Sequence, residues 1–248
     1  MAGGLRRALG FLTVCPLRAS DAWTPEAMGS SMVYYPLVGL GIGLALWLLW
    51  LMLSALFPPL LTSALLLGAL VLITGGLHLD GLADTLDGLS GGYSREEVLR
   101  ILKDPHVGTM AVAGVCLVLL TKFACLAVLS AEARLPALVL MATLSRYSMV
   151  QLAYFSPYAR PGGGLGEPFV RGIRQAHFLL ALALAVAIAL LGDGGRGGLV
   201  AGGVVGATWG YQRYFRRRLQ GITGDVLGAV NELNEALVLI LMVMMDGG

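Results

Sequence analysis

Three aspartates in the run GGLHLDGLADTLDGLSGG could do chemistry together. Asp80, Asp84 and Asp87 are spaced i, i+4 and i+7, which stacks their carboxylates along one face of a helix. Like charges at these spacings repel, so an isolated helix gains nothing from them. A divalent cation turns the repulsion into coordination. Mg²⁺ fits, because it is commonly held by one or two carboxylates together with substrate phosphates. The competing reading is a solvated acidic face. Against it, the surrounding residues are Leu, Gly and Ala with no Lys or Arg. His78 lies two positions before Asp80 and could serve as a general base or a phosphate donor, or be a structural polar group.

Other polar residues could join this chemistry. In KDPHVGTM, Lys103 and Asp104 precede a Pro105–Gly108 turn that feeds a helix start. Such a turn is a natural anion site, although a lysine there can also simply snorkel. Lys122 and Arg146 fall inside apolar runs, where an unpaired charge is costly. They must face the interior, paired with acids or neutralised by substrate phosphates. Arg160 stands in a Gly-rich loop, SPYARPGGGLG, that reads as a flexible cover. The last apolar run carries Asp225, Asn231, Glu232 and Glu235 in its first half, and these also need partners. The cluster QRYFRRR, beside Thr223-Gly224-Asp225, reads as topology signal and lipid contact, with a role at phosphates open.

The elements that position these residues must be transmembrane helices. The 248 residues are 57% apolar and 13% charged, about half the charge of a soluble domain. Mean hydropathy is +0.79. A net charge of +2 gives no reason to expect a nucleic-acid partner. Cys15, Cys116 and Cys125 show no pairing pattern and read as small hydrophobes. The N-terminal 1–30 segment reads as interfacial. Its Arg6-Arg7 and the small residues from Ala19 to Ala22 only faintly imitate a cleaved signal.

Seven spans are expected: Met32 to Phe57, Leu60 to Gly75, Gly108 to Ser130, Leu135 to Phe155, Phe178 to Leu191, Gly197 to Tyr211, and Val226 to Met245. Gly39, Gly41 and Gly43 would let the first span approach a neighbour closely. With seven spans, Arg6, Arg7, Arg18, Arg95, Arg100, Lys103, Arg160, Arg171, Arg174, Arg213, Arg216, Arg217 and Arg218 share one side. Only Arg134 and Arg196 lie opposite. The positive-inside rule makes the first side cytoplasmic, with the N-terminus on it. The expectation is therefore one all-α, polytopic, membrane-embedded domain over residues 1–248. Its functional loops, 76–107, 156–177 and 212–225, face the cytoplasm. A homo-oligomer is one of the states open to it.

The run GGLHLDGLADTLDGL resembles the signature of bacterial cobalamin synthases, the adenosylcobinamide-GDP ribazoletransferases. FLTVCP, YYPLVGLGIG, LKDPHVGTM, TKFACLAVL, ARPGGGLG and GITGDVLGAVNELNEA follow in similar order, so the resemblance covers nearly the whole chain. Gly163 departs from it, standing where a larger, often acidic residue is expected. The resemblance implies a Mg²⁺-dependent transferase of the inner membrane. It would join adenosylcobinamide-GDP to α-ribazole, or to its 5′-phosphate, and release GMP. It further implies Asp80, Asp84 and Asp87 as the metal and pyrophosphate site, His78 at the attacking hydroxyl, and Lys103 at the leaving GMP. Two alternatives are a CDP-alcohol phosphotransferase and a transporter or cation channel. The first carries Arg after DG-x-x-A, where this chain has Asp84. The second predicts an inverted repeat, which the halves do not show.

Overall fold

A computed structural model describes residues 2–15 and 24–247. Arg18 and the small residues Ala19 to Ala22 lie outside the described residues. The architecture is all-α. The helices are α1 (Ala2–Leu12), α2 (Pro25–Ser31), α3 (Tyr35–Ser54), α4 (Pro59–Thr74), α5 (Leu77–Gly91) and α6 (Arg95–Ile101). They continue as α7 (Thr109–Val128), α8 (Ala131–Phe155), α9 (Glu167–Gly172), α10 (Gln175–Leu219) and α11 (Gly224–Asp246). Among the described residues the only β pairing is a bridge from Tyr158 to Ile222.

Five of these units are long and apolar enough to cross a membrane: α2 running through a 3-10 turn into α3, then α7, α8, α10 and α11. The chain is a polytopic membrane protein. The bent pair α4 and α5 adds a sixth unit if counted as one span. The expected second span appears as α4, but its 16 residues reach only about 24 Å at 1.5 Å per residue, short of the roughly 30 Å hydrocarbon core. Gly75 and Gly76, at φ 62° and 69°, then turn the chain by 91° into α5. Two successive positive φ values end a helix cleanly and are open to Gly at little steric cost.

The expected fifth and sixth spans fall within a single helical element, α10, which folds back on itself. Asp193 and Gly194 leave helical geometry. Phe178 and Trp209, from the two arms, both reach Phe155, at ring separations of 5.2 and 4.6 Å. A Cβ on Gly197 would sit 2.0 Å from the Ala189 carbonyl oxygen, so the arms touch through backbone. Ala181, Ala185 and Ala189 are buried at four-residue spacing on the first arm, a small-residue seam of the kind that packs helices in lipid.

The supposed loops are largely structured. Segment 76–107 contains α5 and α6, the latter started by a Ser94–Glu97 capping box. Segment 156–177 contains α9, and 212–225 is mostly the helical end of α10. Two arginines brace these parts. Arg95 donates to the Leu219 and Ala159 carbonyls, and Arg218 to those of Gly92 and Tyr93.

At the centre stands α8, buried on nearly every side. Helix α3 lies against it through Gly39 and Gly43, where added Cβ atoms would come within 2.3 Å of the Ala142 oxygen and 2.6 Å of Val139 Cα. Gly41 faces open space instead. The expected close approach therefore uses two of the three glycines. Helix α1 seals this end of the bundle with Ala8 and Leu12, both fully buried.

Candidate active site

Helix α5 crosses the N-terminal end of α11, and two glycines permit the contact. A Cβ on Gly81 would lie 2.7 Å from the Asp225 carbonyl oxygen, and one on Gly228 would lie 3.2 Å from His78. This crossing sets the acidic face of α5 beside the start of the last helix. Asp84 consequently shares its field with Asp80, Asp225 and Asp87, and with Arg160. Its carboxyl is pushed up to about 6, first by partial burial and then by the neighbouring carboxylates, while Arg160 pulls it down.

Arg160 is placed by the bridge between segments 156–166 and 220–224. Ala159 N–H donates to the Ile222 carbonyl at 2.8 Å, and Ile222 N–H to that of Pro157 at 2.9 Å. The guanidinium then donates to Asp225 at 3.0 Å, while the Thr223 hydroxyl donates to the same carboxylate at 3.1 Å. Another Arg160 N–H points to the Leu102 carbonyl at 3.5 Å, the edge of hydrogen-bond range. That contact brings the segment carrying Lys103 towards the site.

The three α5 aspartates do not act as one set. Asp80 is exposed and Asp84 half-buried, but Asp87 turns towards α7 and accepts backbone N–H bonds from Gly108 at 2.5 Å and Ala111 at 2.8 Å. Both its oxygens thus cap a helix start, a favourable place for a carboxylate. Asp87, expected as a metal ligand, is thus engaged by the start of α7. Among the described residues no cluster of three His, Cys, Asp or Glu side chains is gathered for a metal. The acid brought to Asp80 and Asp84 is Asp225. Sequence reading placed Asp225 only among the polar residues of the last span, and the signal for it was its Thr-Gly-Asp turn.

Lys122 and Arg146 meet acids rather than phosphates. Lys122 pairs with Glu232 at 2.5 Å and also with Glu235. Arg146 pairs with Glu235, to which Asn231 also donates at 3.2 Å. All five residues are buried. Two cations and two anions cancel inside the bundle, the acid-paired alternative of the two open to Lys122 and Arg146. Lys103 and Asp104 are exposed, with Asp104 tied to His106 at 2.5 Å.

His78 is buried, 2% exposed, and both its ring nitrogens lack a partner among the described residues. It lines a cavity of about 100 Å³ whose rim includes Asp80 and Asp225. Apolar side chains from α1, α3, α8, α9 and α11 form most of the cavity wall.

A site of clustered carboxylates and an arginine at the end of a membrane bundle suits phosphate chemistry, and the relatives agree. Over 235 residues, the chain is 40% identical to the adenosylcobinamide-GDP ribazoletransferase of Syntrophobacter fumaroxidans, covering 94% of each protein. Over 238 residues it is 44% identical to the protein of that name from Pseudomonas fluorescens, covering 94% and 96%. The corresponding figures for Stutzerimonas stutzeri are 41% over 242 residues and 97% of each chain. No solved structure matches the chain. The cobalamin-5-phosphate synthase family model matches residues 4–243, nearly the whole bundle and every residue of the site, and the chain belongs to that family.

Proposed function

We propose that this protein is an adenosylcobinamide-GDP ribazoletransferase. The ribose hydroxyl of α-ribazole, or of its 5′-phosphate, attacks the cobinamide-linked phosphorus of adenosylcobinamide-GDP. The bond from that phosphorus to the bridging oxygen of the diphosphate breaks, and GMP leaves with that oxygen. The products are adenosylcobalamin, or its 5′-phosphate, and GMP. The family supports the reaction, and one observation in the structure carries its location. Asp80, Asp84 and Asp225 gather with Arg160 at the rim of a largely apolar cavity.

Phosphoryl transfer depends chiefly on positioning and on stabilising charge. Arg160 offers a guanidinium suited to phosphate oxygens. Lys103, on the adjacent exposed segment, would steady the departing GMP. Asp80, Asp84 and Asp225 carry more negative charge than Arg160 neutralises, an excess that adds to partial burial in raising the Asp84 carboxyl. This donor set fits Mg²⁺, which takes one or two carboxylates and completes its shell with phosphate oxygens and water. Asp80 and Asp84 would hold the ion, with Asp225 kept in place by Arg160 and Thr223. When bound, Mg²⁺ neutralises charge building on the diphosphate. His78, buried beside Asp80, would orient the incoming nucleoside as a neutral imidazole.

The test is GMP release by protein in lipid nanodiscs supplied with adenosylcobinamide-GDP, α-ribazole and Mg²⁺. Absence of GMP with both substrates present overturns the reading.

The setting we propose is the bacterial inner membrane, with seven crossings and with the site and N-terminus in the cytoplasm. The two arms of α10 count as separate crossings and the short α4 as one, with α5 lying at its cytoplasmic end. The arginine distribution supports this orientation. In a chain cleared of its native cysteines, new cysteines at Tyr93 and Leu165, both highly exposed, should react with an impermeant reagent only from the cytoplasmic side. One at Gly195, beside the α10 fold-back and with open space around it, should react only from outside. Same-side labelling of Leu165→Cys and Gly195→Cys would remove the seven-crossing topology.

A further inference from the structure

We infer that the cavity behind Asp80 and Asp225 is the seat of the nucleoside's base, a benzimidazole held by stacking and by the Tyr35 hydroxyl and His78. This inference rests on the proposed reaction and assigns one of its two substrates to a place. Its first support is a pair of orphaned polar groups. Tyr35 is 1% exposed and its hydroxyl has no partner among the described residues. Both nitrogens of His78, 2% exposed, are equally unpartnered. Both side chains line this one cavity. Buried polar groups are almost always satisfied, so two residues with orphaned groups lining one void mark a place that a ligand or water completes.

The rest of the wall describes that ligand. Phe11 and Phe169 pack with ring centroids 4.4 Å apart, Tyr35 stands 6.2 Å from Phe169, and Met149 adds a polarisable sulfur. Aromatic and thioether surfaces favour a flat aromatic guest. The volume of about 100 Å³ is many times the roughly 10–15 Å³ that one water needs, and it suits a bicyclic ring system. A ribosylated benzimidazole has two apolar edges and one free ring nitrogen, an acceptor that a phenol or a neutral imidazole can meet. Guanine would bring several donors and acceptors to a wall with few polar atoms. A corrinoid is far too large. With the base inside, the ribose comes to the rim, where its hydroxyl faces Asp80 and Asp225. The cavity therefore orients the nucleophile towards the diphosphate.

The discriminating probe is α-ribosyl dimethylindole, in which C–H replaces the free ring nitrogen. Wild-type protein should prefer α-ribazole in kcat/KM by about tenfold, the worth of a good buried hydrogen bond. In Tyr35→Phe, the KM for α-ribazole should rise about five- to tenfold, the KM for adenosylcobinamide-GDP should stay put, and the preference over the indole should shrink. An unchanged preference, or a shift in the adenosylcobinamide-GDP KM instead, overturns the assignment. Equilibrium dialysis of labelled α-ribazole reads the cavity without turnover. Binding that Tyr35→Phe weakens, in a chain that releases no GMP, would retire the reaction while keeping the cavity. GMP release with no discrimination between the two nucleosides would retire the cavity alone.

Discussion

Replacing Asp84 by Asn should lower GMP release by roughly 10²- to 10³-fold, the scale of losing one group that stabilises transition-state charge. The carboxamide keeps the shape but is a poor ligand for a hard cation. Substrate binding should weaken less than turnover, because the missing charge matters most as the diphosphate reacts. The same substitution should raise the stability of the metal-free protein. Asp84 is an acid whose carboxyl is pushed up to about 6. Its proton is held more tightly folded than unfolded, so its stabilising contribution is full below the ordinary value of about 4. It is lost as pH rises through 6. The metal-free melting temperature should therefore fall between pH 4 and pH 7 in the wild type and fall less in Asp84→Asn. Added Mg²⁺ should restore wild-type stability at pH 7 and leave the variant nearly unmoved. Near-normal GMP release by folded Asp84→Asn at low Mg²⁺ would end the cation-site proposal. Asp87→Asn makes a useful contrast. Since Asp87 holds the start of α7 through two backbone N–H groups, its loss should act on stability, and added Mg²⁺ should not rescue it.

The second large effect is expected inside the bilayer. Lys122→Met strips Glu232 of its cation and leaves Glu235 to Arg146. Breaking a buried pair from one side costs about 3–5 kcal/mol, because the remaining charge stays buried and uncompensated. Most of the folded protein should be lost, measured as monodisperse material after detergent extraction or as melting temperature. Adding Glu232→Gln to Lys122→Met removes the stranded charge and leaves the Arg146–Glu235 pair intact. The double variant should recover much of the loss despite carrying more changes. Simple additivity of the two substitutions would mean that Lys122 and Glu232 do not compensate one another.

The amino-acid sequence by itself determined the solvent, the fold class and the chemical character of the site. Apolar content, span length and arginine asymmetry are local or summed properties, so they survive without coordinates. The stripe of Asp80 and Asp84 was legible for the same reason, since helical periodicity alone puts both on one face. That Lys122 and Arg146 needed neutralising also followed from the cost of charge in lipid. Tertiary structure decided the partners. Whether a carboxylate binds a cation, caps a helix or pairs with a lysine depends on what a distant segment brings within about 3 Å. Crossing glycines brought Asp225 to Asp84, the start of α7 claimed Asp87, and α11 supplied the acids for both buried cations. The cavity was the least legible feature, because Phe11, Tyr35, His78, Met149 and Phe169 come from five separate helices. Apart from His78, each reads in sequence as an ordinary core residue. Only packing joins their faces around one space and leaves the Tyr35 hydroxyl and the His78 nitrogens without a partner among the described residues.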